Sequence, residues 1–155
     1  MDEPSFGSIG SRKWTVSPSA TPIYAGEPIV RVLGGYTVKS LQSTGPVVGT
    51  DYIVGISASN STHTATATGT VEVVPMVPGQ VWLGNPTTST SWDTQFEYDY
   101  LVGDRVLLAE SSAGVYTVGA SDGATSGLVV QPLDITRYPG KVAFSFRNDC
   151  SDLHA

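Results

Sequence analysis

Residues 28–41 have the sequence PIVRVLGGYTVKSL, in which two short β-branched runs flank the adjacent glycines Gly34 and Gly35. Adjacent glycines tolerate the positive φ angles of the tight turns that join antiparallel strands. The stretch therefore predicts a β-hairpin, with one strand over residues 28–33 and its partner over residues 36–41.

The same alternation of short strands and turns continues along the chain. Four further runs are predicted strands: residues 51–57, 80–84, 104–110 and 141–147. A second hairpin is predicted between residues 115–119 and 127–133, around Ser121-Asp122-Gly123. No apolar stripe at helical spacing persists for three turns. We therefore predict an all-β fold, an antiparallel β-sandwich or small β-barrel with a flexible N-terminal arm.

Two stretches show the two-residue period of a strand most clearly. Residues 62–74, THTATATGTVEVV, predict one long strand that bends near Gly69. Residues 92–100 alternate large apolar side chains with Asp93, Gln95, Glu97 and Asp99, and predict a half-buried strand with an acidic outer face. The predicted core consists of Val30, Val32, Tyr52, Val54, Ile56, Val71, Val73, Phe96, Tyr98, Leu107, Val129, Phe144 and Phe146.

The chain divides into three parts by composition. Residues 1–20 are small and polar and are interrupted by Pro4 and Pro18, which predicts an arm with Phe6 and Trp14 as its apolar anchors. Residues 21–147 are predicted to form a single β domain. Residues 148–155 are polar and are predicted to be a frayed tail.

Composition excludes several classes of protein. The chain has 155 residues, a net charge of −6 and only 8 Lys and Arg, which argues against direct nucleic-acid binding. No apolar run approaches the ~20 residues of a membrane span, and the first residues lack the pattern of a signal peptide. The single cysteine, Cys150, excludes an internal disulfide and a cysteine-built zinc site.

No pattern in the chain predicts a catalytic site, a cofactor site or a metal site. His63 lies in a Thr/Ala run without a nearby acid or cysteine, so we interpret it as a strand residue near a rim. A carboxylate-based hydrolase using residues 93–104 is the least favoured hypothesis, because those acids alternate with the aromatic positions and so face solvent. A calcium-type Asp-x-Asp-x-Asp-Gly loop is missing from the sequence.

The threonines of residues 62–70 have two interpretations. Threonine is a good strand residue on a wet face, and this simple interpretation is favoured. A row of hydroxyls on a strand also suits contact with a ligand, ice or a partner, of which a partner subunit fits best because small side chains permit close approach. The candidate partner-contact residues are Phe6, Trp14, Thr64, Thr66 and Thr68.

Three segments together resemble the capsid decoration, or cement, proteins of tailed bacteriophages. They are residues 22–30 (PIYAGEPIV), residues 52–57 (YIVGIS) and residues 69–73 (GTVEV). In that family a Gly-Asp/Glu-Pro-Val segment precedes a Gly-Ile/Val-Ala strand and a Gly-x-Val-x-Val strand. Here Glu27 occupies the acidic position and Ser57 replaces the usual alanine. The resemblance covers residues 20–83, about half of the chain.

The resemblance implies a structural virion protein that binds the outside of a phage capsid and stabilises the shell without chemistry. The protein would bind the major capsid protein and would form a homotrimer. It would be assembled in the host cytoplasm and located on the capsid surface of the virion. The N-terminal arm would order on the capsid by strand addition. The low content of charged residues, 14%, also favours obligate association, since interface cores are depleted of charge.

The main alternative is a carbohydrate- or receptor-binding β-sandwich module of a fibre or secreted protein. Aromatic faces stack on sugar rings, and Trp82, Trp92, Tyr98 and Tyr100 are the aromatic candidates for such contacts. Against this hypothesis, an aromatic row at two-residue spacing is more often part of a core.

Overall fold

The structure, a computed structural model, describes residues 10–41, 44–77, 79–87, 92–120 and 123–150. Within these ranges the chain is almost entirely β, as predicted. The strands are β1 (Arg12–Val16), β2 (Pro28–Arg31), β3 (Val38–Ser40), β4 (Thr44–Gly45), β5 (Ile53–Ser57), β6 (Gly69–Pro75), β7 (Trp82–Pro86), β8 (Arg105–Ser112), β9 (Val115–Ala120), β10 (Leu128–Val130) and β11 (Val142–Phe146). One α-helix, α1 (Gln95–Leu101), and one 3₁₀ turn, Asn148–Cys150, complete the described secondary structure.

The first sheet uses the N-terminal part of the chain, in the order β1-β6-β5-β2-β3, with every neighbouring pair antiparallel. An isolated parallel bridge between Thr15 and Thr37 also brings β1 next to the start of β3, so that the five strands curl into a ring. The ring encloses a first core of Val16, Ile23, Ile29, Val38, Val54, Val71 and Val73.

The second sheet has the order β10-β11-β7-β9-β8-β4, and a further pairing of β10 with β8 closes five of its strands into a barrel. The pair β7–β9 is parallel, whereas the other pairs are antiparallel. The second core includes Val106, Leu108, Val118, Leu128, Val130, Val142, Phe144 and Phe146 from these strands.

Strands β2 and β5 contribute to both cores. In β2, Ile29 packs in the first core and Val30 in the second. In β5, Val54 packs in the first core and Ile53 in the second. A register shift between Ile29 and Val30, where these strands pair, is the irregularity expected of a β-bulge. The first sheet therefore presents its outer face to the second core, which joins the two halves of the fold.

The hairpin predicted over residues 28–41 is present. Ile29 pairs with Ser40 and Arg31 with Val38, and Gly34 in the intervening turn has φ 81°, as the glycine pair predicted. The second predicted hairpin is wrong, because β9 and β10 do not pair with each other. Strand β8 pairs with both of them, and the hairpin in this region joins β8 to β9 through Gly114.

The strand predicted over residues 92–100 is also wrong, because residues 95–101 form α1. Thr94 caps the helix: its side chain accepts a hydrogen bond of 3.2 Å from the backbone N–H of Glu97. Gln95 then donates to Asp99 across one helical turn at 2.7 Å. Consequently Phe96, predicted to be in the core, is 82% exposed, while Tyr98 is fully buried.

Tyr98 fixes α1 to the second barrel. Its hydroxyl donates to the carbonyl of Gln131 at 2.9 Å and accepts from the backbone N–H of Ala143 at 2.8 Å. Its ring meets Trp92 edge-on, with centroids 5.7 Å apart. A seven-residue helix is marginal by itself, so this buried anchor rather than helix propensity holds the segment in place.

The remaining core predictions have mixed outcomes. Val30, Val54, Val71, Val73, Phe144 and Phe146 are buried as predicted. Val32, Tyr52, Ile56, Leu107 and Val129 are half-buried.

Both predicted domain boundaries need correction. Residues 12–16, assigned to a flexible arm, form β1, which pairs with β6 over five positions from Arg12–Val73 to Val16–Gly69. Residues 148–150, assigned to a frayed tail, form a 3₁₀ turn whose Cys150 is fully buried. The arm residues 1–9 and the tail residues 151–155 lie outside the described residues.

Deletion of residues 1–20 is expected to destabilise the fold strongly. It removes β1, takes Val16 from the first core and exposes the edge of β6. Removal of buried apolar side chains of this size lowers the melting temperature by about 10 °C or more, which circular dichroism would measure. Deletion of residues 1–9 is the matched control, because it leaves every described contact of β1 in place. Equal melting temperatures for the two truncated chains would contradict the assignment of β1 to the sheet.

Candidate functional site at the threonine loop

The threonine-rich segment, predicted as part of a long strand, is a folded loop. Residues 62–68, here called the threonine loop, precede β6, which begins only at Gly69. Thr62 and Thr70 close the loop: Thr62 N–H donates to the carbonyl of Thr70, and Thr70 N–H donates to the hydroxyl of Thr62, both at 2.9 Å. The hydroxyls that suggested a flat strand thus bind their own backbone instead.

Thr64 organises the tip of the loop. Its hydroxyl accepts hydrogen bonds from the backbone N–H groups of Thr66 at 3.3 Å and Ala67 at 3.0 Å. Its own N–H donates to the carbonyl of Ala67 at 3.0 Å. These are the local bonds by which Ser and Thr side chains stabilise turns. Thr64 is therefore a structural residue as well as an exposed one.

The threonine loop also holds the segment that follows β1. The N–H of Ser19 donates to the carbonyl of Thr64 at 3.0 Å. His63 Nε2 donates to the carbonyl of Thr21 at 3.0 Å, and His63 is 9% exposed. His63, interpreted from the sequence as a strand residue near a rim, is instead a buried loop residue that ties residues 17–21 to the threonine loop.

The predicted partner-contact residues do not form one continuous row. Trp14 lies in the middle of β1, half-buried against the first core, and the Arg12 guanidinium lies 4.5 Å from its ring centroid. Thr64, Thr66 and Thr68 are exposed on the threonine loop, beyond the end of the β1–β6 ladder. Phe6 lies outside the described residues. Trp14 is therefore a component of the sheet, and only the threonines are presented on a loop.

A buried carboxyl that sequence reasoning did not identify lies on the same sheet. Glu27, which immediately precedes β2, is 2% exposed, and its Oε2 has no hydrogen-bond partner among the described residues. Its backbone N–H donates to the hydroxyl of Ser57 at 2.9 Å, and that hydroxyl donates to the carbonyl of Tyr24 at 2.6 Å. Ser57 thus fixes the turn that carries Glu27.

Burial is the main reason that the pKa of Glu27 is raised from its ordinary value of 4.5 to about 7. A hydrogen bond with the Tyr24 backbone lowers the pKa and the nearby charge of Glu110 raises it, and both effects are included in that value. Glu110 lies at the end of β8, where its Oε1 accepts from the N–H of Gly114. Gly114 in turn lies against the Tyr24 ring, where an added Cβ would come within 2.8 Å. The segment before β2 and the β8–β9 hairpin therefore contact each other through Tyr24 and Gly114.

The other candidates from the sequence do not assemble into a site. Asp93, Glu97 and Asp99 are exposed around α1, and Asp99 binds Gln95. Burial raises the pKa of Cys150 to about 12, which disfavours a reactive thiolate. Over the described ranges, no cluster of three or more His, Cys, Asp or Glu side chains is placed to hold a metal ion. No helix in this part of the chain is long and apolar enough to cross a membrane.

Comparisons with known proteins return no match: no family model, no curated protein and no solved structure is similar to this chain.

Replacing Thr64 with alanine is expected to lower the free energy of unfolding by about 1 kcal/mol, because two backbone N–H groups lose their acceptor. Thr68→Ala, an exposed threonine on the same loop, is the control and should change stability by less than about 0.5 kcal/mol. Thr64→Ser keeps the acceptor and should retain most of the stability. Urea unfolding followed by tryptophan fluorescence would measure all three. Equal losses for Thr64→Ala and Thr68→Ala would contradict the proposed role of Thr64.

Replacing Glu27 with glutamine is expected to change how stability depends on pH. With its pKa raised to about 7, folded Glu27 keeps a proton that the unfolded chain releases near pH 4.5. Its contribution to stability is therefore complete below about pH 4.5 and is lost as the pH rises through 7. Glutamine cannot ionise, so Glu27→Gln should be more stable than the parent above pH 7, and the difference should shrink towards pH 4.5.

Thermal melting from pH 4 to pH 8 would measure this difference. Glu72→Gln is the matched control, since Glu72 lies half-buried in β6 and accepts from Ser11, a role that the amide oxygen can retain. A constant difference between Glu27→Gln and the parent across this range would overturn the assignment of a protonated Glu27.

Proposed function

We propose that this chain is a structural virion protein that binds the outside of a phage capsid and stabilises the shell, acting as a homotrimer and without chemistry. The three phage-like segments of the sequence support the proposal, because they fall on neighbouring strands of one sheet. Residues 22–30 lead into β2, residues 52–57 contain β5, and residues 69–73 begin β6, in the spatial order β6-β5-β2. A resemblance scattered over unconnected surfaces would carry less weight.

One observation carries the proposal that the protein works by association: a pair of exposed aromatic side chains on α1. Phe96 is 82% exposed and Tyr100 is 81% exposed. They are four residues apart, so they lie on the same face of the helix. We call this pair the aromatic ridge. It lies on the side of α1 opposite to the buried Tyr98, which holds the helix on a rigid support.

The surroundings of the aromatic ridge indicate the chemistry of its partner. Aromatic side chains supply most of the binding energy of many interfaces, at their apolar centre. Asp93, Glu97 and Asp99 are exposed around the ridge and give it an acidic rim. The ridge thus suits an apolar pocket bordered by basic or hydrogen-bond-donating groups, on the capsid protein or on a second copy of this chain.

The same aromatic ridge is the observation that keeps carbohydrate binding as the second candidate. Of the four aromatics proposed for sugar contacts, Trp92 and Tyr98 are buried and Trp82 is half-buried, which removes them as stacking platforms. Tyr100 remains exposed, and Phe96 joins it. Two aromatic faces on a short convex helix offer less enclosure than a sugar-binding groove, so the structural role is favoured.

Light scattering combined with capsid binding tests the proposal. A homotrimer has about three times the chain mass of 16.2 kDa, and the protein should saturate heads that lack it. The double variant Phe96→Ser/Tyr100→Ser should weaken association by at least about tenfold, since loss of a central aromatic contact commonly costs more than 1.4 kcal/mol. Circular dichroism should show an unchanged fold, because both side chains are exposed.

Tyr36→Ser is the matched control, because Tyr36 is an aromatic residue 89% exposed in the turn between β2 and β3. It should leave binding to heads unchanged. A monomer that fails to bind heads but binds a glycan array through Phe96 and Tyr100 would replace the proposal with the second candidate.

A further inference from the structure

A cavity opens at one end of the first sheet. Its volume is about 220 Å³, and it lies between the segment that follows β1, strand β3 and His63. Val16, Ile23 and Val38, three residues of the first core, contribute to its lining. The mouth of a closed β structure is a common place for a ligand, and a volume below the ~300 Å³ of drug-sized sites suits a small one.

The lining of the cavity is rich in hydroxyl groups. Five of its residues bear a hydroxyl: Ser17, Ser19, Thr21, Thr37 and Ser40. Among the described residues that line it, Lys39 and His63 are the basic ones, and none is an aspartate or glutamate. In a chain of net charge −6, a cavity with basic and hydroxyl groups and without carboxylates favours an anion.

His63 adds a hydrogen-bonding group that the protein leaves unused. Nε2 must carry a proton, because it bonds to the carbonyl of Thr21, which can only accept. The other ring nitrogen, Nδ1, is buried and has no partner among the described residues. Such a group is costly to leave unsatisfied, and a bound water, ion or ligand can complete its hydrogen bonding.

The walls of the cavity are held in place before any ligand binds. The Ser19 hydroxyl accepts from the N–H of Thr21 at 3.1 Å, and the Ser19 N–H donates to the threonine loop at Thr64. His63 holds the carbonyl of Thr21 from the same loop. A preformed site loses less conformational entropy on binding, so a small ligand can bind it measurably.

We propose that this cavity binds a small hydroxyl-bearing oxyanion, of which hydrogen phosphate is the representative. Lys39 supplies charge, the serine and threonine hydroxyls donate to the anionic oxygens, and His63 Nδ1 pairs with the ligand in either state of the ring. A neutral ring accepts from the P–OH group, and a protonated ring donates to a P–O⁻ oxygen. A monosaccharide fits less well, because none of the described lining residues is a Trp, Tyr or Phe that could stack on a sugar ring.

Titration of the full chain with sodium phosphate, followed by amide and imidazole NMR at constant ionic strength set with sodium chloride, tests the proposal. Saturable shifts are expected for residues 17–21, for residues 37–40 and for His63 Nδ1. Lys39→Met should weaken phosphate binding by about tenfold, as expected for one lost charge-assisted hydrogen bond. Lys39 is exposed, so this variant should keep the fold.

Lys13→Met is the matched control, because Lys13 is also an exposed strand lysine of the first sheet but does not line the cavity. It should bind phosphate as the parent does. Shifts that do not saturate, or that saturate equally in Lys39→Met and the parent, would overturn the proposal. Saturable binding of glucose at these residues without binding of phosphate would also overturn it, since the site would then recognise a sugar. The result is independent of capsid binding.

Discussion

The fold depends on two strands, β2 and β5, whose two faces are both buried. Most antiparallel strands bury one face and wet the other, and their sequences alternate accordingly. Here consecutive residues, Ile29 with Val30 and Ile53 with Val54, go to opposite cores. Both cores therefore share the backbone of these two strands, and a distortion of either strand changes the packing of both cores. Close packing on both faces leaves little room for adjustment.

This constraint explains why a carboxyl group is buried immediately before β2. Glu27 immediately precedes β2, and the buried Pro28, Ile29 and Val30 fix the path of the chain at that point. From the second sheet, Gly114 lies against the Tyr24 ring, and the nearby charge of Glu110 also raises the pKa of Glu27. A protonated carboxyl is much less costly to bury than a carboxylate, so the sheets fit together best when Glu27 holds its proton. The capsid-binding and oxyanion-binding proposals use other surfaces and do not depend on this group.

The sequence predicts the class of fold well and its local exceptions poorly. Hairpin β2–β3 was predictable because glycines and β-branched runs act locally. Helix α1 was missed because residues 92–100 alternate large and acidic residues, although Thr94 and Glu97 form the Thr-x-x-Glu pattern of a helix N-terminus. The threonine loop was missed because threonine is both a strand former and a turn former. Only the tertiary partners of His63 and Thr64 decide between these roles.

In the candidate sites too, features set by neighbouring residues were predictable, whereas features set by residues distant in the sequence were not. The threonines were found as exposed residues, but Trp14 was assigned to an arm because nothing near it in sequence reveals that β6 lies beside it. The burial of Glu27 likewise depends on residues 57 and 110, which are distant in the chain. The cavity near His63 is built from three segments that are separated in the chain, so no local sequence motif could predict it.

The distribution of the strands along the chain determines the order in which the two sheets can form during synthesis on the ribosome. Every strand of the first sheet lies within residues 12–75, so its pairs can all form before the second sheet has been made. The second core needs β11, which ends at Phe146, and its parallel pair β7–β9 cannot close until β9 has emerged. During that interval, Val30 and Ile53 stand on the outer face of a finished sheet without their cover. At ~5–20 residues per second, the nascent chain carries this apolar surface for several seconds, which is the period in which it is most open to a chaperone or to a neighbouring chain.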